Sequence, residues 1–152
     1  MDTAAKALET PLGRITVTEQ GGAITRLTWG GHADCETPLL AEAASQIRAY
    51  FDGSLSVFEL PLNPAGGPLQ QAVCQAMSAI PFGQTREYGE LSRELGAPAQ
   101  AIGQACGGNP IPIIIPCHRV VGAGGLGGFS ARGGVETKAA LLKHEGAYGL
   151  LL

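Results

Sequence analysis

Eight residues near the middle of the chain, Pro61-Leu62-Asn63-Pro64-Ala65-Gly66-Gly67-Pro68, hold three prolines and two glycines. Proline lacks the N–H that a helix or a strand ladder needs, and glycine loosens the backbone. No regular element crosses such a stretch, so the 152 residues are expected to fold as two pieces. Residues 1–62 form one expected domain and residues 68–152 the other. Hydrophobic residues make up 45% of the chain and charged ones 15%, which excludes a disordered polymer.

The first piece reads as β then α. Ile15 and Val17 alternate with Arg14, Thr16 and Thr18, and Gln20-Gly21-Gly22 is a turn signal before Ala23 to Trp29. That pattern predicts a hairpin. Thr37-Pro38 predicts an N-cap with proline at the first helical position. Leu40, Ala43, Ala44, Ile47 and Phe51 recur at helical spacing, so residues 38–51 should be an amphipathic helix stopped by Gly53. Leu55 to Leu60 reads as a strand.

The second piece reads as mostly helical. Leu69, Val73, Met77 and Ile80 repeat at helical spacing before Pro81-Phe82-Gly83. Tyr88 to Leu95 and Pro98 to Cys106 are two short helices across Gly96-Ala97, a helix-turn-helix pattern. Ile113-Ile114-Ile115 is β-branched and predicts an extended buried segment. A glycine-rich loop follows from Gly122 to Gly128. The last helix should run from about Val135 to Glu145, with Ala139 and Leu142 on one side and Gly146 as its stop. The expected class is α+β: a small N-terminal antiparallel sheet with a helix, then a mostly helical domain.

Charge and cysteine usage narrow the function. Residues 1–67 hold 4 Lys/Arg against 8 Asp/Glu, and residues 68–152 hold 6 against 5. An anionic partner should therefore meet the second half, through few phosphate contacts. No apolar run approaches the ~18 residues of a membrane helix. Residues 1–6 lack an apolar leader, so a cytoplasmic protein is expected. Cys35, Cys74 and Cys106 read as buried, inert thiols. No metal is expected, because Cys and His show no ligand spacing. His32 and His144 read as surface residues.

Cys117-His118 stands apart. A thiol attacks only as thiolate, and an unperturbed cysteine is about 3% ionised at pH 7. An adjacent base held by a third group corrects this. His118 is the base at minimal separation, and Glu145 could be the third group. Neighbours in a strand do not face each other, so the pair needs a turn or a bridging water. Arg119 reads as structural, pairing an acid.

Pro116-Cys117-His118-Arg119-Val120, after Asn109-Pro110-Ile111-Pro112 and the isoleucine run, closely resembles the signature of the O6-alkylguanine-DNA alkyltransferases. Ile80-Pro81-Phe82-Gly83 with Tyr88-Gly89-Glu90-Leu91 resembles that family's entry to its helix-turn-helix. Ala101-Ile102-Gly103-Gln104-Ala105 resembles its recognition helix. Gly127-Gly128-Phe129-Ser130 and Lys138 to Leu142 with Glu145-Gly146 resemble its active-site loop and closing helix. The likeness covers residues 69–148; residues 1–60 match only in their β-then-α layout.

The resemblance implies a ribonuclease H-like first domain and repair of DNA by irreversible transfer of an alkyl group from O6-alkylguanine to Cys117, without a cofactor. It implies that His118 is the base, that Glu145 holds His118, and that Asn109 braces the site. Tyr88 would face the flipped base. The carbonyls of Cys117 and Val120 would read its amine, and the Ser130 N–H would meet O6. Base flipping fits, because O6 inside a duplex is out of reach of a pocketed thiol. The family's recognition helix enters the minor groove, which suits Ala101 and Gly103, and a monomer is expected.

One departure matters. The family has an arginine where this chain has Gln100, the finger that fills the gap left by the flipped base. A shifted substrate is therefore one alternative. A damage-recognition protein without transfer and a thiol hydrolase are two others. Cys117 speaks against the first of these two, and stoichiometric alkylation would exclude the second.

Overall fold

The computed structural model describes residues 3–127 and 134–147. The backbone divides into two compact units, Met1–Pro64 and Ala65–Leu152.

In the first unit three strands form an antiparallel meander: β1 (Thr3–Thr10), β2 (Gly13–Gln20) and β3 (Ala23–Trp29). β1 pairs with β2 along its whole length, from Thr3 opposite Gln20 to Thr10 opposite Gly13. Its sequence, with three alanines, one lysine and one glutamate among eight residues, carries little strand preference; the partner imposes the conformation. Helix α1 (Pro38–Asp52) packs on β1 and β2. Thr37 caps it by accepting from the Leu40 N–H at 3.0 Å, and Gly53 ends it at φ 89°. Leu40, Ala43, Ala44, Ile47 and Tyr50 meet Leu8, Ile15, Val17, Ile24 and Leu27 in the core.

Leu55 to Leu60 is not a strand. At Glu59 both backbone groups are taken by a side chain instead of a neighbouring strand, and the Leu55 N–H turns back to the Ala49 carbonyl. Gln46 Oε1 accepts from the Glu59 N–H at 2.9 Å, and Gln46 Nε2 donates to the Glu59 carbonyl at 3.1 Å. Only Leu62, just beyond, bridges to Ile24 at the edge of the sheet. Cys35 is exposed rather than buried. Its N–H bonds the Ala5 carbonyl at 2.9 Å along the edge of β1, and its side chain falls on the open side.

The second unit is built from α2 (Pro68–Ser78), α3 (Tyr88–Leu95), α4 (Ala99–Gly107) and α5 (Val135–His144). α2 packs against α3, α4 and the 3₁₀ turn Cys117–Arg119. α3 opens with a capping box between Glu87 and Glu90 and closes on Gly96 at φ 66°. Two short strands, β4 (Arg86–Glu87) and β5 (Val120–Val121), pair in parallel. They tie the start of α3 to the segment just after the 3₁₀ turn.

The isoleucine run is coiled, not extended. Ile115 N–H bonds the Ile111 carbonyl at 2.9 Å, Ile114 N–H the Pro112 carbonyl at 2.9 Å, and Cys117 N–H the Ile115 carbonyl at 2.8 Å. Ile113 lies at φ 74°, a conformation that costs a β-branched residue about 1–3 kcal/mol. Pro110, Pro112 and Pro116 cannot donate to a ladder, so a paired strand is closed to this segment. Burial of every residue from Ile111 to Val121 holds the coil in place.

Candidate active site

Asn109 organises the approach to the thiol. Its Oδ1 accepts from the Ile111 N–H at 3.0 Å and its Nδ2 donates to the Ile115 carbonyl at 2.8 Å. One amide thus spans the coil and supplies partners that no strand provides. The Asn109 side chain also hydrogen-bonds Cys117.

The 3₁₀ turn Cys117–Arg119 carries the thiol and its neighbouring imidazole. It places Cys117 and His118 on one tight curve, both buried, with His118 fully inaccessible. His118 Nε2 lies 2.7 Å from Glu145 Oε2 at the end of α5. A carboxylate only accepts, so Nε2 carries the proton and Nδ1 keeps its lone pair. Nδ1 is buried and has no hydrogen-bond partner in the protein. It is the one basic atom of the ring free to take a proton.

Glu145 is held twice. Arg119 Nε donates to Oε1 at 2.8 Å and Arg119 Nη2 to Oε2 at 2.9 Å, a bidentate pair. Arg119 Nη1 also reaches the Ile80 carbonyl at 2.6 Å. Arg119 therefore pairs an acid, as its sequence context predicts.

Burial dominates the electrostatics. It pushes the Cys117 thiol up to about 11, against the Asn109 hydrogen bond and the Lys138 charge, which pull it down. Unaided, on the order of one molecule in 10⁴ would be thiolate at pH 7. Desolvation pulls His118 below its ordinary value; Glu145 opposes this, while Arg119 and Lys138 add to it. His118 is thus neutral at pH 7 and able to accept a proton.

Lys138 is a buried charge beside the site that sequence reading missed. It is fully buried in α5, and its Nζ donates to the Tyr88 hydroxyl at 3.3 Å from a position 5.5 Å from the ring centre. Burial lowers its ammonium to about 8, with Cys117 and Cys106 pulling the other way. Burial raises the Tyr88 phenol to about 12, so Tyr88 keeps its proton. The signal was available: Leu141, Leu142 and Glu145 stand three, four and seven residues on, so Lys138 shares their helix face. That stripe, with Thr137, is what α5 buries, whereas Ala139 is only half-buried. Gly127 packs on Tyr88 so closely that a Cβ there would lie 2.9 Å from the ring.

The structure brings Cys117, His118, Glu145 and Asn109 together, with Tyr88 and Lys138 near enough to feel the Cys117 charge. Cys106, buried at the end of α4, feels it too; burial raises its own thiol to about 12. The Cys117 carbonyl accepts from the Val120 N–H, and Val120 is buried in β5. Gln100 is exposed in the first turn of α4, with Ala101 and Gly103 half-buried beside it. Ser130 and Phe129 lie outside the described residues. His32 is exposed, whereas His144 is half-buried edge-on to Phe82 at 6.3 Å. Among the described residues no cluster of His, Cys, Asp or Glu could hold a metal, and no helix is long and apolar enough to cross a membrane.

Comparison with known proteins finds matches to both halves of the chain. Residues 68–147 match the DNA-binding domain of 6-O-methylguanine DNA methyltransferase, and residues 5–64 match its ribonuclease-like domain. The chain is 40% identical over 151 residues to the methylated-DNA–protein-cysteine methyltransferase of Mycobacterium tuberculosis, covering 92% of this chain and 90% of the relative. It is also 40% identical to the constitutive enzyme of that name from Bacillus subtilis, covering 90% and 92%. The crystal structure of the M. tuberculosis O6-methylguanine methyltransferase superposes with a TM-score of 0.85 at 37% identity, covering 97% and 94%. The same organism's OGT in complex with DNA also gives 0.85, at 38% identity over 95% and 94%. With both halves matched in order and nearly the full length aligned, the chain belongs to the O6-methylguanine DNA methyltransferase family.

Proposed function

We propose that this protein repairs DNA by moving an alkyl group from O6 of guanine onto Cys117, once per molecule. The observation that carries this reading is the buried Cys117–His118–Glu145–Arg119 array within a chain of this family. His118 Nδ1 takes the Cys117 proton through a water, and Glu145 holds the resulting imidazolium. The sulfur attacks the alkyl carbon in line. The S–C bond forms as the C–O6 bond breaks, and the electron pair leaves with guanine. Tyr88, kept protonated and held by Lys138, offers its hydroxyl to the edge of the departing base. The thioether has no leaving group that water can displace readily, so the protein is spent.

The lesion reaches the thiol by flipping out of the duplex, with α4 in the minor groove. The protein acts as a monomer. The Cys117 and Val120 carbonyls read the exocyclic amine, and the Ser130 N–H meets O6. Ala101 and Gly103 keep the helix face small enough to approach the groove floor.

Intact-protein mass spectrometry after mixing with O6-methylguanine DNA should show one added methyl, on the peptide containing Cys117. Unmodified protein beside intact damaged DNA would overturn the reading, and turnover beyond one equivalent would point to a hydrolase.

Gln100 sets the expected substrate preference. Arginine in a flipped-base gap stacks, hydrogen-bonds and stays near phosphates, whereas glutamine is shorter and neutral. Gln100→Arg should speed single-turnover repair of duplex DNA roughly fivefold, by recovering about 1 kcal/mol of a flipping cost of a few kcal/mol. The gain on single-stranded DNA should be smaller. An unchanged or slower duplex rate would remove Gln100 from the finger role.

A further inference from the structure

The helix-turn-helix is nearly bare of usable positive charge. Residues 84–109 contain two cations, Arg86 and Arg93, against three acids, Glu87, Glu90 and Glu94. Arg86 is committed: its Nη1 donates to Glu94 at 2.9 Å and its Nε to Glu90 at 3.5 Å. α4 carries no charged residue. A helix-turn-helix that holds a duplex still needs contacts to phosphate, because these fix its register and supply most of its affinity.

We propose that Arg93 is the phosphate anchor of this motif, gripping the strand beside Tyr88 across the space left open by Gly89. This rests on the DNA alkyltransferase reading and adds a residue to it. Arg93 is exposed in the last turn of α3 and pairs with no acid among the described residues. Its charge reaches Glu90, whose carboxylate is already engaged by Arg86 and the Glu87 N–H.

Its direction is fixed by the helix. Helical side chains run back toward the N-terminus, so residue 93 covers the surface over residue 89. A Cβ built on Gly89 would lie 3.6 Å from Arg93 Nη1, so the guanidinium rests over a position without a side chain. That position adjoins Tyr88, the residue facing the flipped base. The first helix of a helix-turn-helix crosses the sugar-phosphate backbone, which is where such a fork finds two oxygens. The strand is thereby pinned one residue from the pocket mouth, by a contact that carries no sequence preference.

The test is salt-dependent binding to a fluorescently labelled duplex containing O6-methylguanine, followed by anisotropy for the parent, Arg93→Gln and Arg93→Lys. Arg93→Gln should lower the slope of log affinity against log salt by about 0.9 and weaken binding about tenfold at 50 mM salt. Arg93→Lys keeps the charge and should retain the slope. All three should still end at one methyl per protein by mass spectrometry, because the pocket is untouched. An unchanged slope for Arg93→Gln, with the parent binding and accepting methyl normally, would overturn the anchor alone. Loss of slope in Arg93→Lys as large as in Arg93→Gln would also overturn it. A parent that neither binds the duplex nor accepts methyl would instead bring down the underlying reading.

Discussion

Glu145→Gln is expected to damage both the fold and the reaction. The Glu145 carboxylate binds Arg119 through two oxygens and His118 through one of them, and all three side chains are almost wholly buried. An amide cannot neutralise the guanidinium, and its NH₂ would point at a group that only donates. Removing one partner of a buried ion pair costs about 3–5 kcal/mol, because the other charge stays behind in a medium of low polarity. The reaction should slow as well. An imidazolium formed beside an amide is less stable than one formed beside a carboxylate, so His118 becomes a poorer base. A positioned base is worth 10²–10⁴-fold, so losing part of that support should lower the single-turnover rate roughly 10–100-fold. Chemical denaturation and rapid-quench transfer, both at a temperature where the variant is folded, measure the two effects separately. A normal rate would remove Glu145 from the proton path. Normal stability would show that Arg119 finds another partner.

That dual role explains what could and could not be read from the residues. Local chemistry carried the helices: Thr37-Pro38, Gly53 and Gly96 set their ends through groups within a few residues. β1 was silent, because its strand conformation comes from pairing with β2 rather than from its own Ala-rich sequence. The isoleucine run misled, since β-branching favours strands. Here three prolines and the Asn109 amide impose a coil that tolerates Ile113 at positive φ. In the site, Cys117-His118 stood out as a thiol beside a base, and the family resemblance brought Glu145 forward as the third group. Lys138 was not, because a lysine in a helix ordinarily reads as solvated surface. Only its place on the Leu141–Leu142 stripe marks it as interior. Arg93 needed the structure most, since its isolation shows only once Arg86 is seen to be occupied.

Lys138→Met is the other substitution with a large expected effect, and its signature lies in pH. The Lys138 ammonium is held at about 8 in the folded protein, against 10.5 for an ordinary lysine. Between those two values the unfolded chain carries a proton that the folded chain has lost. Lys138 should therefore contribute a climb in stability from about pH 8 to 10.5, by up to about 3 kcal/mol at 1.36 kcal/mol per unit. The climb is read as the difference between parent and variant, because the buried Cys117 and Cys106 thiols, raised to about 11 and 12, lower the stability of both proteins above pH 9. Below 8 both states are protonated, and the folded protein bears the full cost of a buried charge. Methionine has nearly the same length and no charge, so the variant should lack this climb and should be more stable than the parent at pH 7. Activity should move the opposite way. Lys138 eases ionisation of Cys117 and donates to Tyr88, so its loss should slow transfer about tenfold at pH 7, the worth of one pKa unit on the thiol. The gap should narrow above pH 8, where the parent lysine is itself neutral. Denaturation midpoints and single-turnover rates for both proteins from pH 6.5 to 10.5 test the two halves together. Parallel stability curves would mean that Lys138 does not titrate inside the fold. A rate gap that stays constant across pH 8 would mean that it acts through shape rather than charge.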